Sequence, residues 1–224
     1  MRFCAASDQS LLVYLGNDIG HAAHEQVLHL VHAIESAPPK WLRNLQPAYC
    51  SVLVSFDLGE VTHHDVEVFV RSLKESSRQG SAAPSKTMEI PVCYGGEFGP
   101  DLEEAAALLS LPPERVIELH AATLYRAYFL GFAPGFAYLG DLPSQLELPR
   151  LSAPRKKVPA GSVAIAGKQT GVYPFATPGG WRLIGRTPLT IFRADREPMG
   201  LITLGDHVRF RSVSKEEFRR LEDA

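Results

Sequence analysis

The spacing of apolar positions changes period several times along the chain. Residues 2–15 read as two short strands around the polar turn Ser7-Asp8-Gln9-Ser10. From residue 19 to 36 the spacing is helical: at 100° per residue Ile19, Ala23, Val27, Leu30, Val31 and Ile34 share a face. Pro38 and Pro39 end that helix, and AYCSVLVSFDL (48–58) is dense in β-branched and aromatic residues. A second amphipathic helix is predicted from about Thr62 to Ser77. Strands alternating with helices predict a small α/β sandwich.

The segment KESSRQGSAAPSKT (74–87) has almost no large apolar residue and is rich in Ser, Gly, Ala and Pro, as a linker is. The predicted organisation is therefore an N-terminal domain at 1–80, a linker at 81–87 and a second domain at 88–224. In the latter, MEIPVCYGG predicts a strand. GPDLEEAAALL predicts a helix, with Pro100 near its first position and acids in its first turn, and PPERVIELHAA a short second one. From Tyr125 onward, short apolar runs alternate with Gly and Pro: YRAYFLGF, FAYLG, SVAIAG, WRLIGRT, LTIFRA and HVRFRSV. Such a run of short strands predicts a β-barrel or sandwich. Ser214 and Glu217 then have the spacing of a capping box before a terminal helix. The predicted fold class is α+β.

Composition narrows the chemistry. Twenty-three basic residues face 25 acidic ones, for a net charge of −2, so there is no general electrostatic case for nucleic acid. A small molecule or a protein is the expected partner. Cys4, Cys50 and Cys93 are odd in number and far apart, which fits reduced thiols in a cytoplasmic protein. The N-terminal residues lack the basic start and apolar run of a secretory signal, and no apolar stretch reaches bilayer length, so no membrane partner is expected.

Several local patterns invite a chemical reading. Gly161, Gly167, Lys168 and Thr170 approximate a phosphate-binding loop, but five residues separate the glycines and Gln169 stands where the magnesium-ligating hydroxyl belongs. SVAIA is strand-like and GVYPFATPGG cannot form the helix such a loop needs, so a strand running into a long loop is the better reading. His21, His24, His29 and His32 crowd the first helix without a pair at i, i+4, which predicts a solvated face and no metal site. His120 ends a helix, where an imidazole can reach a cleft or complement the helix dipole. Arg150, Arg155, Lys156 and Lys157 could receive a carboxylate or phosphate. Glu97 and Asp101 flank a glycine turn and are candidates for an acid or base, or for dipole partners. GxSxG, HExxH and the Rossmann glycine fingerprint are missing from the sequence.

Taken in order, GGEFGPDLEEAA, YFLGFAPGFAYLGDLP, APRKKVPAGSVAIAGKQTGVYPFATPGGWRLIGRTP and GDHVRF resemble the B-subunit family of bacterial 5-oxoprolinases, the PxpB or KipI family. This family is also called allophanate hydrolase subunit 1 and is related to part of the carboxyltransferase region of urea carboxylase. The likeness is strong over residues 88–211 and rests on element order over 1–80. It implies a cyclophilin-like C-terminal barrel, an α/β N-terminal domain, and work with separate C and A subunits that open 5-oxoproline to glutamate with ATP. No biotin attachment segment is present, and the nucleotide site is expected outside a P-loop of this chain. A KipI-type inhibitor of a sporulation histidine kinase and a carboxyltransferase-like subunit acting on a urea-derived substrate are the alternative functions the resemblance implies.

Positions that match the family pattern suggest Gln169, Tyr173, Arg155 and Arg186 as polar groups of a ligand cleft walled by Phe136 and Tyr138. Gln169 would hold a lactam amide, and the arginines a carboxylate or phosphate. The chain departs from the pattern at Ala133 and Ala137, where methionine and proline are expected, and at Asp141, where glycine is common.

Overall fold

The computed structural model describes residues 1–17, 20–76 and 85–223, with the backbone alone for 74–76. The chain divides into two compact units between Pro84 and Ser85. That division falls within the predicted linker. Positions 77–84 lie outside the described residues, as does Ile19, the predicted start of the first helix.

The N-terminal unit is a four-stranded sheet in the order β1-β2-β4-β3, formed by β1 (Arg2–Ser7), β2 (Ser10–Tyr14), β3 (Leu42–Pro47) and β4 (Ser51–Phe56). Every pairing in it is antiparallel. The helices α1 (His21–Ser36) and α2 (His63–Ser76) bury Val27, Leu30, Val31 and Ile34 from α1 and Val66 and Val70 from α2. The sheet contributes Leu11, Val13, Val52, Val54 and Phe56, every second residue of its strands, as one-sided burial of a pleated sheet requires. One reading is corrected. His24 is fully buried rather than part of a solvated face, because it stands three and seven residues before Val27 and Val31 and so joins the apolar stripe. The strand β3 was not predicted, since LRNLQP alternates too weakly to signal one.

The C-terminal unit is built on a closed seven-stranded barrel in the order β10-β7-β6-β13-β5-β12-β9. Its strands are β5 (Thr87–Tyr94), β6 (Leu124–Leu130), β7 (Ala137–Gly140), β9 (Ser162–Ala166), β10 (Gln169–Val172), β12 (Arg182–Arg186) and β13 (His207–Ser212). The β13–β5 pair is parallel; the others are antiparallel. A separate two-stranded ribbon pairs β8 (Arg155–Val158) with β11 (Thr177–Gly179). Helices α3 (Leu102–Leu109), α4 (Pro113–Ala122) and α5 (Lys215–Glu222) complete the unit.

Period-two alternation sorts the barrel side chains. Ile90, Val92, Ala127, Leu139, Val163, Ile165, Val172, Ile184 and Val208 join the main core, while their neighbours Ala164, Ala166 and Leu183 join a second cluster on the other face. The barrel is thus filled by its own side chains, as small barrels are. On the outside of β5, Phe218 of α5 packs on Phe98 with centroids 4.6 Å apart, in a cluster with Cys93 and Val213. Half of the predicted capping box is present: the Ser214 hydroxyl accepts the Glu217 N–H at 3.2 Å, while the Glu217 carboxylate accepts from Arg211 at 3.0 Å. The predicted strand LTIFRA instead forms a loop held by the isolated bridge Phe192–Gly200.

Candidate functional site

The segment that approximates a phosphate loop is a β-hairpin. Gln169 pairs with Ala166 and Val172 with Val163, leaving Gly167 and Lys168 as a two-residue turn in which Gly167 takes φ +56°. The region expected to be a loop after Lys168 is therefore strand β10 as far as Val172. Backbone N–H groups spent on this ladder cannot cradle a phosphate, and Lys168 stands exposed at the turn. The other glycine, Gly161, has φ +79° and a β-carbon there would lie 2.4 Å from the Thr187 carbonyl, so it is kept for a tight approach of backbones.

Outside the barrel wall formed by β7, β10, β9 and β12 lies an aromatic layer. Phe136, Tyr173 and Trp181 are buried there with Val158, Ala164, Ala166 and Leu183, and Tyr138 packs against them. Phe136 is the hub, edge-on to Tyr138 at 5.0 Å, Tyr173 at 5.3 Å and Trp181 at 5.5 Å. Tyr138 also stacks on Phe129, with centroids 4.2 Å apart and planes 12° apart. At the layer's rim, Phe132 is exposed, takes φ +69° and reaches Phe136 and Tyr173 edge-on. Left-handed backbone at a bulky residue is costly and marks a conformation held by its surroundings.

Two arginines meet this layer. Arg150 lies over the Trp181 ring, 6.0 Å from its centroid. Arg155, on β8, donates from Nη2 to Asp101 Oδ1 at 2.5 Å. Burial pushes both the Tyr138 and the Tyr173 hydroxyls above the ordinary tyrosine range, partly opposed at both by the charge of Arg150. Tyr173 is additionally stabilised as the anion by the Trp181 N–H and, to a smaller extent, by Arg155. The two phenols and two guanidiniums therefore share one electrostatic neighbourhood.

Asp101 is the anchor beneath it. Its Oδ2 accepts the Leu183 N–H at 2.6 Å, its own N–H donates to the Leu183 carbonyl at 2.9 Å, and its side chain is almost fully buried. A single carboxylate thus ties the start of α3 to β12 and to the β8–β11 ribbon. Arg182 makes a parallel link, donating to Glu104 at 3.0 Å and to the Pro149 carbonyl at 3.2 Å.

The structure brings together four of the six residues predicted for a ligand cleft: Phe136, Tyr138, Tyr173 and Arg155. Tyr173 is buried in the layer and not carried on an exposed loop. The other two lie at opposite ends of the β9 pairings, on the face that carries Ala164 and Ala166 of the layer. Gln169 pairs with Ala166 and Arg186 with Ser162, four residues away along β9, which is about 13 Å at the rise of a strand. Arg186 donates to the Ala160 carbonyl at 3.0 Å.

The three candidate acids and bases have structural placements. Glu97 is exposed and 3.5 Å from Lys215 of α5, away from Asp101, whose carboxylate is committed to Arg155 and Leu183. His120 is fully buried, and burial holds its pKa down to about 3, so it is neutral. Its tautomer follows from the chain of bonds. Thr170 Oγ1 donates to the Ala164 carbonyl at 3.0 Å and so accepts from His120 Nε2 at 2.9 Å, which leaves Nδ1 to accept from the Tyr94 hydroxyl at 2.7 Å. The ring stacks on Phe210 at 4.6 Å. Among the described residues no group of three His, Cys, Asp or Glu is arranged to hold a metal.

Sequence reasoning missed Thr177, whose hydroxyl is buried under the ribbon, and the anchoring role of Asp101. The departure at Asp141 is explained: it takes φ +68°, where glycine is favoured, and its carboxylate accepts the Tyr128 hydroxyl at 3.0 Å.

An antiparallel sheet with two helices, followed by a seven-stranded barrel bearing an outer aromatic layer, is the architecture of this chain. The family described as "Carboxyltransferase domain, subdomain C and D" matches residues 1–202, and the chain belongs to it. Within that family it falls with the B subunits of 5-oxoprolinase. The B subunit of that enzyme from Bacillus subtilis (strain 168) is 42% identical over 234 residues, covering 96% of this chain and 94% of the relative. Among solved structures, TTHA0988 superposes with a TM-score of 0.83 at 35% identity over 93% of this chain, which spans 40% of that longer chain. Urea carboxylase of Kluyveromyces lactis shares the fold, with a TM-score of 0.80 at 18% identity over 22% of its own length. Among the described residues no helix is long and apolar enough to cross a membrane.

Proposed function

We propose that this chain is the B subunit of an ATP-dependent 5-oxoprolinase that works with separate A and C subunits to convert 5-oxoproline, ATP and water to L-glutamate, ADP and phosphate. The observation that carries this reading is the 42% identity to the Bacillus subtilis B subunit of 5-oxoprolinase over nearly the full length of both chains. That this chain spans only 40% of TTHA0988 agrees with a body that works beside further protein.

The chemistry makes a separate energy source reasonable. A lactam carbonyl is a poor electrophile, and transfer of a phosphoryl group to its oxygen would create a centre that water can attack. The Gly161–Thr170 segment is a hairpin and does not fit a nucleotide's phosphates, so we assign ATP to a site that the A or C subunit supplies or shares. The contribution of this chain would be binding and orientation. The layer of Phe136, Tyr138 and Trp181 offers an apolar floor for a small ring, with Arg150 and Arg155 at its edge for a negative charge. Tyr138 and Tyr173, both kept protonated by burial, are hydrogen-bond donors there.

The test is ADP release by the three purified subunits. It should depend on added 5-oxoproline and disappear when this chain is left out; 5-oxoproline-stimulated ADP release that persists without it would overturn the assignment.

A further inference from the structure

Two buried polar atoms on the β8–β11 ribbon lack a hydrogen-bond partner: Nη1 of Arg155 and Oγ1 of Thr177. Folded proteins pair nearly all such atoms, so each calls for a physical reason. Register places both on the same side. Thr177 lies opposite Val158 and Gly179 opposite Arg155, three residues of β8 against two of β11, as across a bulge. Opposed residues of an antiparallel pair share a face, and Val158 is fully buried in the aromatic layer, so Thr177 faces that layer too. Gly179 stands over Tyr173, where a β-carbon would lie 2.4 Å from the phenol oxygen. The rung carrying Arg155 therefore covers the Tyr173 hydroxyl.

We infer that the underside of this ribbon receives the carboxylate of a small lactam acid, with Arg155 Nη1 and Thr177 Oγ1 as donors and the Tyr173 hydroxyl beside them. The inference rests on the reading of the chain as part of a 5-oxoprolinase and identifies which end of the substrate this chain holds. Charge selects a monoanion over a polyphosphate. Asp101 already balances Arg155 through Nη2, so Arg150 supplies one net positive charge at this edge. Lys156 and Lys157 are exposed. The Arg155 side chain retains 31% of its exposure although Nη1 itself is buried, so a solute approaches the guanidinium from its exposed edge and meets Nη1 as the ribbon yields, without opening the barrel. Because Asp101 fixes one arm of the fork, Nη1 is presented in a set direction, which lowers the entropy lost on binding.

The experiment uses the complex of the three subunits with Thr177→Val, which keeps the side-chain shape, and Arg155→Lys, which keeps the charge. Thr177→Val should raise the KM for 5-oxoproline about threefold to tenfold and Arg155→Lys about tenfold or more, the ranges for losing a neutral and a charge-assisted hydrogen bond. The KM for ATP should not change. Equilibrium binding of 5-oxoproline should weaken in parallel, while 2-pyrrolidinone, which lacks the carboxylate, should bind wild type and variants alike. A rise in the ATP KM instead would make this a phosphate site and overturn the inference. Unchanged 5-oxoproline binding in a correctly folded Thr177→Val complex would overturn it as well. A wild-type complex that neither binds nor turns over 5-oxoproline would overturn the functional reading and the inference together, whereas activity with insensitive variants would overturn the inference alone.

Discussion

Replacing Asp101 by alanine removes two bonds at once. The Leu183 N–H, 2.6 Å from Oδ2, loses its acceptor in a buried strand, and a buried donor left unsatisfied costs about 1–3 kcal/mol. Arg155 loses its counter-charge. Breaking a buried pair by removing one partner costs about 3–5 kcal/mol, but the Arg155 side chain is nearly a third exposed, so water recovers much of this. A total of about 3–4 kcal/mol is expected, which for a unit spanning residues 85–224 corresponds to about 10 °C in Tm. Asp101→Asn retains an oxygen for Leu183 and should cost about half as much. Urea unfolding followed by Trp181 fluorescence in a Trp41→Phe background measures both. A loss below about 1 kcal/mol for Asp101→Ala, the value of an exposed ion pair, would refute the assignment of Asp101 as the anchor of ribbon and barrel.

Three further outcomes follow from the same contacts. Gly179→Ala places a methyl 2.4 Å from the Tyr173 hydroxyl and should cost about 1–3 kcal/mol by overpacking, read as a lowered urea midpoint; an unchanged midpoint would mean the ribbon does not lie against Tyr173. His120 is held near pKa 3 against an ordinary 6.5, so below pH 6.5 the unfolded chain binds the extra proton and stability falls as pH drops, by at most about 1.4 kcal/mol per pH unit. His120→Gln should flatten that part of the profile between pH 6.5 and 4, and an identical slope in the variant would contradict a buried neutral imidazole. Lys168→Ala, at the exposed hairpin turn, should leave the ATP KM of the complex unchanged, and a tenfold increase would restore the phosphate-loop reading.

The elements most legible in the sequence are those whose period is carried by large apolar residues. α1 and α2, and the barrel strands containing FAYLG, SVAIAG and HVRFRSV, fall where the pattern predicts. β10 escaped because QTGV carries one large apolar residue and its ladder is fixed by β9 and β7, not by its own composition. LTIFRA has a strand's composition, yet Phe192 is drawn into contact with Phe175 and the backbone of Gly135, where a β-carbon would sit 2.7 Å from it, and the segment stays irregular. Of the residues that the family likeness suggests for a cleft, Phe136, Tyr138, Tyr173 and Arg155 lie in or beside the aromatic layer, and Gln169 and Arg186 occupy opposite ends of the β9 pairings. Nothing in a linear sequence distinguishes Asp101 as a buried clamp from Asp101 as a helix-start acid, because its partners lie 54 and 82 residues away.

Formation of glutamate tests the central claim most directly. With this chain, its A and C partners, ATP and 5-oxoproline, the account predicts one glutamate for each ADP released and none when this chain is omitted. Equal glutamate formation with and without it would contradict the account.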